Sequence, residues 1–237
     1  MIMSTIEQNL QAVRDSIAQA AADAQRAPAD VTLLAVSKTF GADAVLAAMR
    51  AGQAAFGENY LQEALDKIAL VKEAAPQHVP AWHFIGPIQS NKTRPIAEHF
   101  DWVHTVEREK IAVRLSEQRP AGLPDLNICL QVNISGEASK SGVPPADLPA
   151  LARAVAQLPR VRLRGLMAIP EPETDVNLQR AAFAQLRALY QQLKADGLAL
   201  DTLSMGMSAD LRAAVLEGAT SCAWAVPSSV PVIILTD

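Results

Sequence analysis

At 237 residues, half of them hydrophobic, the chain is long enough to bury one large core. Its formal net charge of −4 is spread without any block of like charge, so nothing marks a nucleic-acid surface or a polybasic membrane anchor. Cys129 and Cys222 lie far apart, and His78, His83, His99 and His104 have no zinc-ligand spacing. A reduced, cytoplasmic chain is expected. No run approaches the ~20 apolar residues of a membrane span, and the first residues lack a leader pattern.

The first element is a helix. Ser4-Thr5-Ile6-Glu7 reads as a capping box, and Ile6, Leu10, Val13 and Ile17 follow at helical spacing, with alanines continuing to residue 24. Residues 31–36 are then short, apolar and β-branched, a buried strand. Helix over 42–50 follows, closed by Gly52. Residues 54–56 make a strand stopped by Gly57, and 61–72 a helix. Strand 82–85 ends at Gly86-Pro87, and Ser90 caps a helix reaching residue 99. Strand 102–106 precedes a helix to about residue 117. Strand 126–134, helix 148–158, strand 163–169 and helix 178–194 come next, the last with Leu186, Leu189 and Leu193 on one face. A strand ends in Leu203-Ser204-Met205, and helix 209–217 ends at Gly218.

Seven strand–helix units with a tail able to supply an eighth strand imply a parallel sheet covered on both faces. In this length they fit one (β/α)8 TIM-type barrel behind an N-terminal helix, a single domain over residues 1–237. Chemistry in such barrels sits where the strands end. The first strand is followed by Ser37-Lys38-Thr39, so the Lys38 ammonium is expected at the barrel mouth. Partial desolvation there favours the neutral, nucleophilic amine that condenses with an aldehyde; otherwise Lys38 is a surface lysine. Ser208, read as the N-cap of the last helix, lies where such barrels bind phosphate, through free backbone N–H groups or simply as a cap. Asn59 and His83 are placed on the same rim, where each can touch a ring substituent, although a satisfied structural role fits His83 better. Lys92 and Lys140 lie on polar loops. Glu58, Glu107 and Glu109 show no acid–base pairing.

Four ordered segments, Ala35-Val36-Ser37-Lys38-Thr39, Phe56-Gly57-Glu58-Asn59-Tyr60, residues 82–92 and residues 203–211, resemble the pyridoxal phosphate homeostasis protein family. That family is similar to the N-terminal barrel domain of alanine racemase. Val132-Asn133-Ile134, Ser139-Lys140-Ser141-Gly142 and Arg164-Gly165-Leu166-Met167 extend the resemblance to about Thr220. It implies that Lys38 forms the Schiff base with pyridoxal 5′-phosphate (PLP). Asn59 and Met167 would line the ring, and Ser204, Gly206, Met207 and Ser208 one side of the phosphate. It further implies a non-enzymatic role in PLP homeostasis or transfer, with indirect effects on amino- and keto-acid pools and transient contact with PLP-requiring apoenzymes. Separately, a monomer is expected. The alternative is a PLP-dependent amino-acid racemase. Alanine racemase draws a second acid–base group from an additional β-domain, for which 237 residues leave no room. A third reading is a barrel isomerase or lyase using Lys38 on a phosphorylated metabolite.

The tail departs from this pattern. The family continues after Gly218-Ala219-Thr220 with Val-Arg-Ile/Val-Gly-x-Ala-Ile-Phe-Gly, whose arginine lies close to the ring nitrogen and whose glycine turn faces the phosphate; residues 221–237 contain none of it. Read from the third base of the Ser221 codon, a codon set for this tail encodes Val-Arg-Val-Gly-Ser-Ala-Ile-Phe-Gly-Ala-Arg-Asp-Tyr-Leu-Asp and a stop. Trp224 forces the glycine, and Cys222 allows arginine as one of two options. A frameshift is therefore expected. Residues 222–226 are still apolar or small enough for an altered eighth strand. Ser228 and Ser229 retain N–H groups that Pro227 lacks.

Overall fold

The computed structural model describes residues 5–136 and 140–225. The eight expected strands are present: β1 (Thr32–Val36), β2 (Ala55–Glu58), β3 (Ala81–Phe84), β4 (Trp102–Val106), β5 (Leu126–Gln131), β6 (Val161–Met167), β7 (Thr202–Ser204) and β8 (Ser221–Ala225). All neighbours pair in parallel, and β8 returns to β1, closing the barrel in sequential order. The divergent tail thus supplies a complete last stave as far as it is described. Thr32 pairs with Ser221 and each following residue keeps step to Val36 and Ala225. Ser4, Glu137 to Ser139, and Val226 onward, including Pro227, Ser228 and Ser229, lie outside the described residues.

Helix α1 (Thr5–Asp23) precedes the barrel and turns Leu10, Val13, Ile17, Ala20 and Ala21 inward. Each large apolar side chain so buried contributes roughly 1.5–3 kcal/mol. The alternating helices are α2 (Ala42–Arg50), α3 (Leu61–Ala74), α4 (Thr93–His99), α5 (Glu109–Gln118), α6 (Leu148–Ala156), α7 (Val176–Ala195) and α8 (Leu211–Leu216). Helix α1 lies between α8 and α2, where the ring of helices closes. There Arg14 donates to the Ala51 carbonyl at 2.9 Å and Arg212 meets Asp23 at 3.0 Å.

Several boundaries differ from expectation for local reasons. Gly57 does not stop β2 but sits within it, paired with His83; glycine is there for space, since a Cβ would meet Ile85 and Leu34 at 3.0–3.3 Å. Ser90 does not cap α4. It opens a single 3-10 turn, Ser90–Lys92, with Gln89 at its N-cap, and α4 begins at Thr93. Helix α8 starts at Leu211, not at residue 209, because residues 208–210 form a turn closed by Asp210.

Candidate active-site cavity at the strand ends

The turn after β1 carries Lys38, half-buried, and it is clamped on both sides. Before Lys38, the Ser37 carbonyl accepts from Lys67 Nζ at 2.6 Å, and Ser37 Oγ donates to Glu58 Oε1 at 2.6 Å. After it, the Thr39 N–H donates to Glu63 Oε1 at 2.7 Å. Thr39 holds φ at +66°, a costly left-handed conformation for a β-branched residue, and the clamp is what keeps it there. Lys67 is 3% exposed and joins the two carboxylates, reaching Glu58 Oε1 at 2.6 Å and Glu63 Oε1 at 3.0 Å. Glu58 is fully buried, and burial pushes its carboxyl above the usual range against the pull of Lys67 and Ser37.

Lys38 opens onto a cavity of about 350 Å³ at the C-terminal ends of the strands. Leu34, Val36, Ile85, Met167 and Ala223 supply its apolar wall, and Asn59, Ser204, Gly206, Met207 and Ser208 also line it. Seven of the eight residues singled out from sequence therefore converge here. Asn59 Oδ1 is buried, without a hydrogen-bond partner among the described residues. Such an acceptor is normally satisfied, so it marks a place for a ligand or water donor. Among the described residues, Lys38 is the charged side chain on this wall.

Two staves from Lys38 around the barrel, the chain leaves β7 through Met205 and turns at Gly206, whose φ is +94°. A Cβ there would fall 2.5 Å from the Ala214 Cβ, so only glycine lets the turn lie this close to α8. Met205 N donates to the Ser221 carbonyl at 3.1 Å and Ala223 N to the Gly206 carbonyl at 3.0 Å, tying the turn to β8. Ser208 is not the helix N-cap. Asp210 holds that position, and its carboxylate accepts from the Met207 N–H while its own N–H donates to the Met207 carbonyl. Burial raises the Asp210 carboxyl above its ordinary range. Between these bonds the Ser208 and Ala209 amides have no acceptor among the described residues, and both residues line the cavity. Two such amides are available to an anion independently of the six-residue helix that follows.

His83 does not join this group. Its ring lies inside the barrel toward the strand starts, stacked on Trp102 with ring centres 5.3 Å apart. Its Nδ1 is 2.9 Å from His104 Nε2, and His104 Nδ1 is 2.7 Å from Ser204 Oγ. Burial pushes both imidazoles down, His104 to about 4, so both are neutral at pH 7. The inward alternation of β3 puts Ile85 at the mouth and His83 one pleat deeper, which is why the two-residue difference decides their roles. Lys140 bridges to Glu171 at 2.6 Å across the rim.

Sequence reasoning missed Lys67, Glu63 and His104. A signal existed for Lys67: it occupies the inward stripe of α3 with Ala64 and Val71, where a solvated lysine does not belong. None existed for the His83–His104–Ser204 line, which joins three separate strands.

The chain is also similar to known proteins. The family described as alanine racemase, N-terminal domain, matches residues 8–225, which places the chain among barrels of that class. A protein of Pseudomonas aeruginosa named pyridoxal phosphate homeostasis protein is 65% identical over 218 residues, covering 92% of each chain. One of the same name from Escherichia coli K12 is 53% identical, covering 92% of this chain and 93% of that one. The chain belongs to the pyridoxal phosphate homeostasis protein family. Among solved structures, PipY of Synechococcus elongatus PCC7942, determined with PLP bound, is 39% identical, with a TM-score of 0.76 over 88% of this chain and 97% of that one.

Proposed function

We propose that this chain holds PLP as a Schiff base on Lys38 and serves its intracellular homeostasis or delivery to apoenzymes, without catalytic turnover. The observation that carries the reading is that Lys38 lines one cavity of about 350 Å³ together with Ser208 and Ala209, whose amides have no acceptor among the described residues. When bound, PLP supplies an aldehyde that condenses with a primary amine. The residues present fit it. Lys38 offers that amine. Asn59 Oδ1, buried and without a partner among the described residues, offers an acceptor to a ring hydroxyl. Met167 and Val36 give apolar contact to a flat ring, and the Gly206–Ala209 turn offers N–H groups to a phosphate.

The clamp of Lys67, Glu58 and Glu63 holds the Lys38 backbone at one place on the rim. That lowers the ordering cost of presenting the amine. The names of the homologous proteins support a homeostatic role, and the PLP-bound PipY structure supports the ligand. The rate-promoting alternative, racemisation, needs acid–base groups on both faces of the substrate carbon.

Adding PLP to the purified chain is expected to produce a visible absorption band that Lys38→Ala abolishes. A band that survives the substitution would remove Lys38 from the proposal. Deuterium exchange at the α-carbon of amino acids separates the two functional readings: sustained turnover with the PLP-loaded chain would establish the racemase instead. Transfer is checked by mixing the loaded chain with a PLP-requiring apoenzyme and following recovery of that enzyme's activity.

A further inference from the structure

The line His83–His104–Ser204 runs from the interior toward the strand starts up to the wall of the candidate cofactor cavity. Its chemistry is constrained. Both rings are neutral, so each carries one N–H. The 2.9 Å contact between His83 Nδ1 and His104 Nε2 needs one proton between the nitrogens, and the 2.7 Å contact between His104 Nδ1 and Ser204 Oγ needs another. Only two arrangements satisfy both. In the first, His83 Nδ1–H donates to His104 Nε2, and His104 Nδ1–H donates to Ser204 Oγ. The Ser204 hydroxyl proton is then free to point into the cavity. In the second, every bond reverses: Ser204 donates to His104, His104 donates to His83, and Ser204 presents only lone pairs to the cavity.

An anion at the Gly206–Ala209 turn is compatible with the first arrangement and repelled by the second. We infer that His83 and His104 form a tautomer relay which turns the Ser204 hydroxyl into a donor for the ligand's phosphate, and so favours PLP over its unphosphorylated counterpart pyridoxal. This deepens the PLP reading and rests on it for the identity of the ligand. The stacking of His83 on Trp102, itself covered by the Arg164 guanidinium at 4.5 Å, holds the first ring in plane. His83 and His104 are thus positioning residues, and Ser204 is the one that touches the ligand. The relay also makes His83 Nε2 an acceptor on the far side whenever the anion is present. The buried Ser221 hydroxyl, unpartnered among the described residues, lines the same inner cavity and is a donor of the right kind.

The test is imidazole nitrogen NMR on the histidine-labelled chain, titrated separately with inorganic phosphate and with PLP, alongside affinities for PLP and pyridoxal. With either anion saturating, His104 is expected to carry its proton on Nδ1. His83→Phe keeps a ring against Trp102 but removes the donor; it is expected to weaken PLP binding roughly three- to ten-fold while leaving pyridoxal unchanged. Ser204→Ala is expected to weaken PLP at least as much, and His83→Phe added to it should change nothing further. His104 protonated on Nε2 in saturating phosphate overturns the relay. So does an equal loss for PLP and pyridoxal in His83→Phe, or an undiminished loss on the Ser204→Ala background. Failure of the PLP reading itself shows up separately, as the absence of a Lys38-dependent visible band.

Discussion

Replacing Lys67 by methionine keeps the length of the side chain and removes the charge that three oxygens surround. The consequence can be worked from Glu58. It is fully buried, and Lys67 is the cation it contacts. Removing one partner of a buried pair costs ~3–5 kcal/mol when the other charge stays. The carboxylate has an escape, which is to take up a proton. From its ordinary value of 4.5 to pH 7 that costs about 3.4 kcal/mol, at 1.36 kcal/mol per pH unit. The penalty is therefore capped at about 3–4 kcal/mol at pH 7. The folded variant then binds a proton that the unfolded chain releases above its ordinary pKa. Stability must fall as pH rises from 4.5 to 7 and return as pH falls. Urea unfolding of wild type and Lys67→Met at pH 7 and pH 5.5 should show the deficit shrinking by up to about 2 kcal/mol, less what the wild type gains from its own raised Glu58 over the same interval. Adding Glu58→Gln, which still accepts from Ser37 Oγ, should recover at least half of the loss at pH 7. A deficit under about 1 kcal/mol at pH 7, or one independent of pH, would refute the assignment of this pair as a buried, mutually dependent clamp.

Gly206→Ala should cost stability by ~1–2 kcal/mol from its positive φ alone, and more from the 2.5 Å approach to Ala214; Ala214→Gly in the same chain should return the steric part, read by thermal unfolding. Substituting residues 221–237 by the sequence of the shifted frame should tighten PLP binding roughly ten-fold or more, since it restores one or two charge-assisted bonds; equal affinities by titration would end that proposal, and the gene's codons test the frameshift directly. His104, held neutral down to about 4 against an ordinary 6.5, binds its proton in the unfolded chain first. Its burial should therefore cost up to about 3 kcal/mol of stability as pH falls from 6.5 toward 4, and His104→Phe should flatten that slope in urea unfolding.

Much of the site was legible because a barrel sends each strand end to the same rim. Lys38, Asn59, Met167 and the 204–208 segment each follow or end their own strand, so their convergence needed only the strands and the closure rule. The depth of a residue along a strand was less legible. His83 and Ile85 are two residues apart on β3, yet one faces His104 and the other the cavity. Ser208 looked like a cap from its type and position. Asp210 took the role because its carboxylate reaches the Met207 amide and closes the turn first.

By itself the amino-acid pattern determined the alternation of apolar strands with amphipathic helices, because burial on two faces imposes a period that any stretch of chain displays locally. It also placed the amine of Lys38 and the glycine turn at strand ends. Tertiary structure alone decided which polar side chains meet inside. The Lys67–Glu58 pair joins α3 to β2, and the His83–His104–Ser204 line joins β3, β4 and β7. Partners of this kind are chosen by the stagger of strands around a closed sheet, a long-range geometry that no local spacing encodes. The same closure drew the divergent residues Ser221 to Ala225 into register with β1, since a parallel edge left unpaired would bury unsatisfied backbone groups.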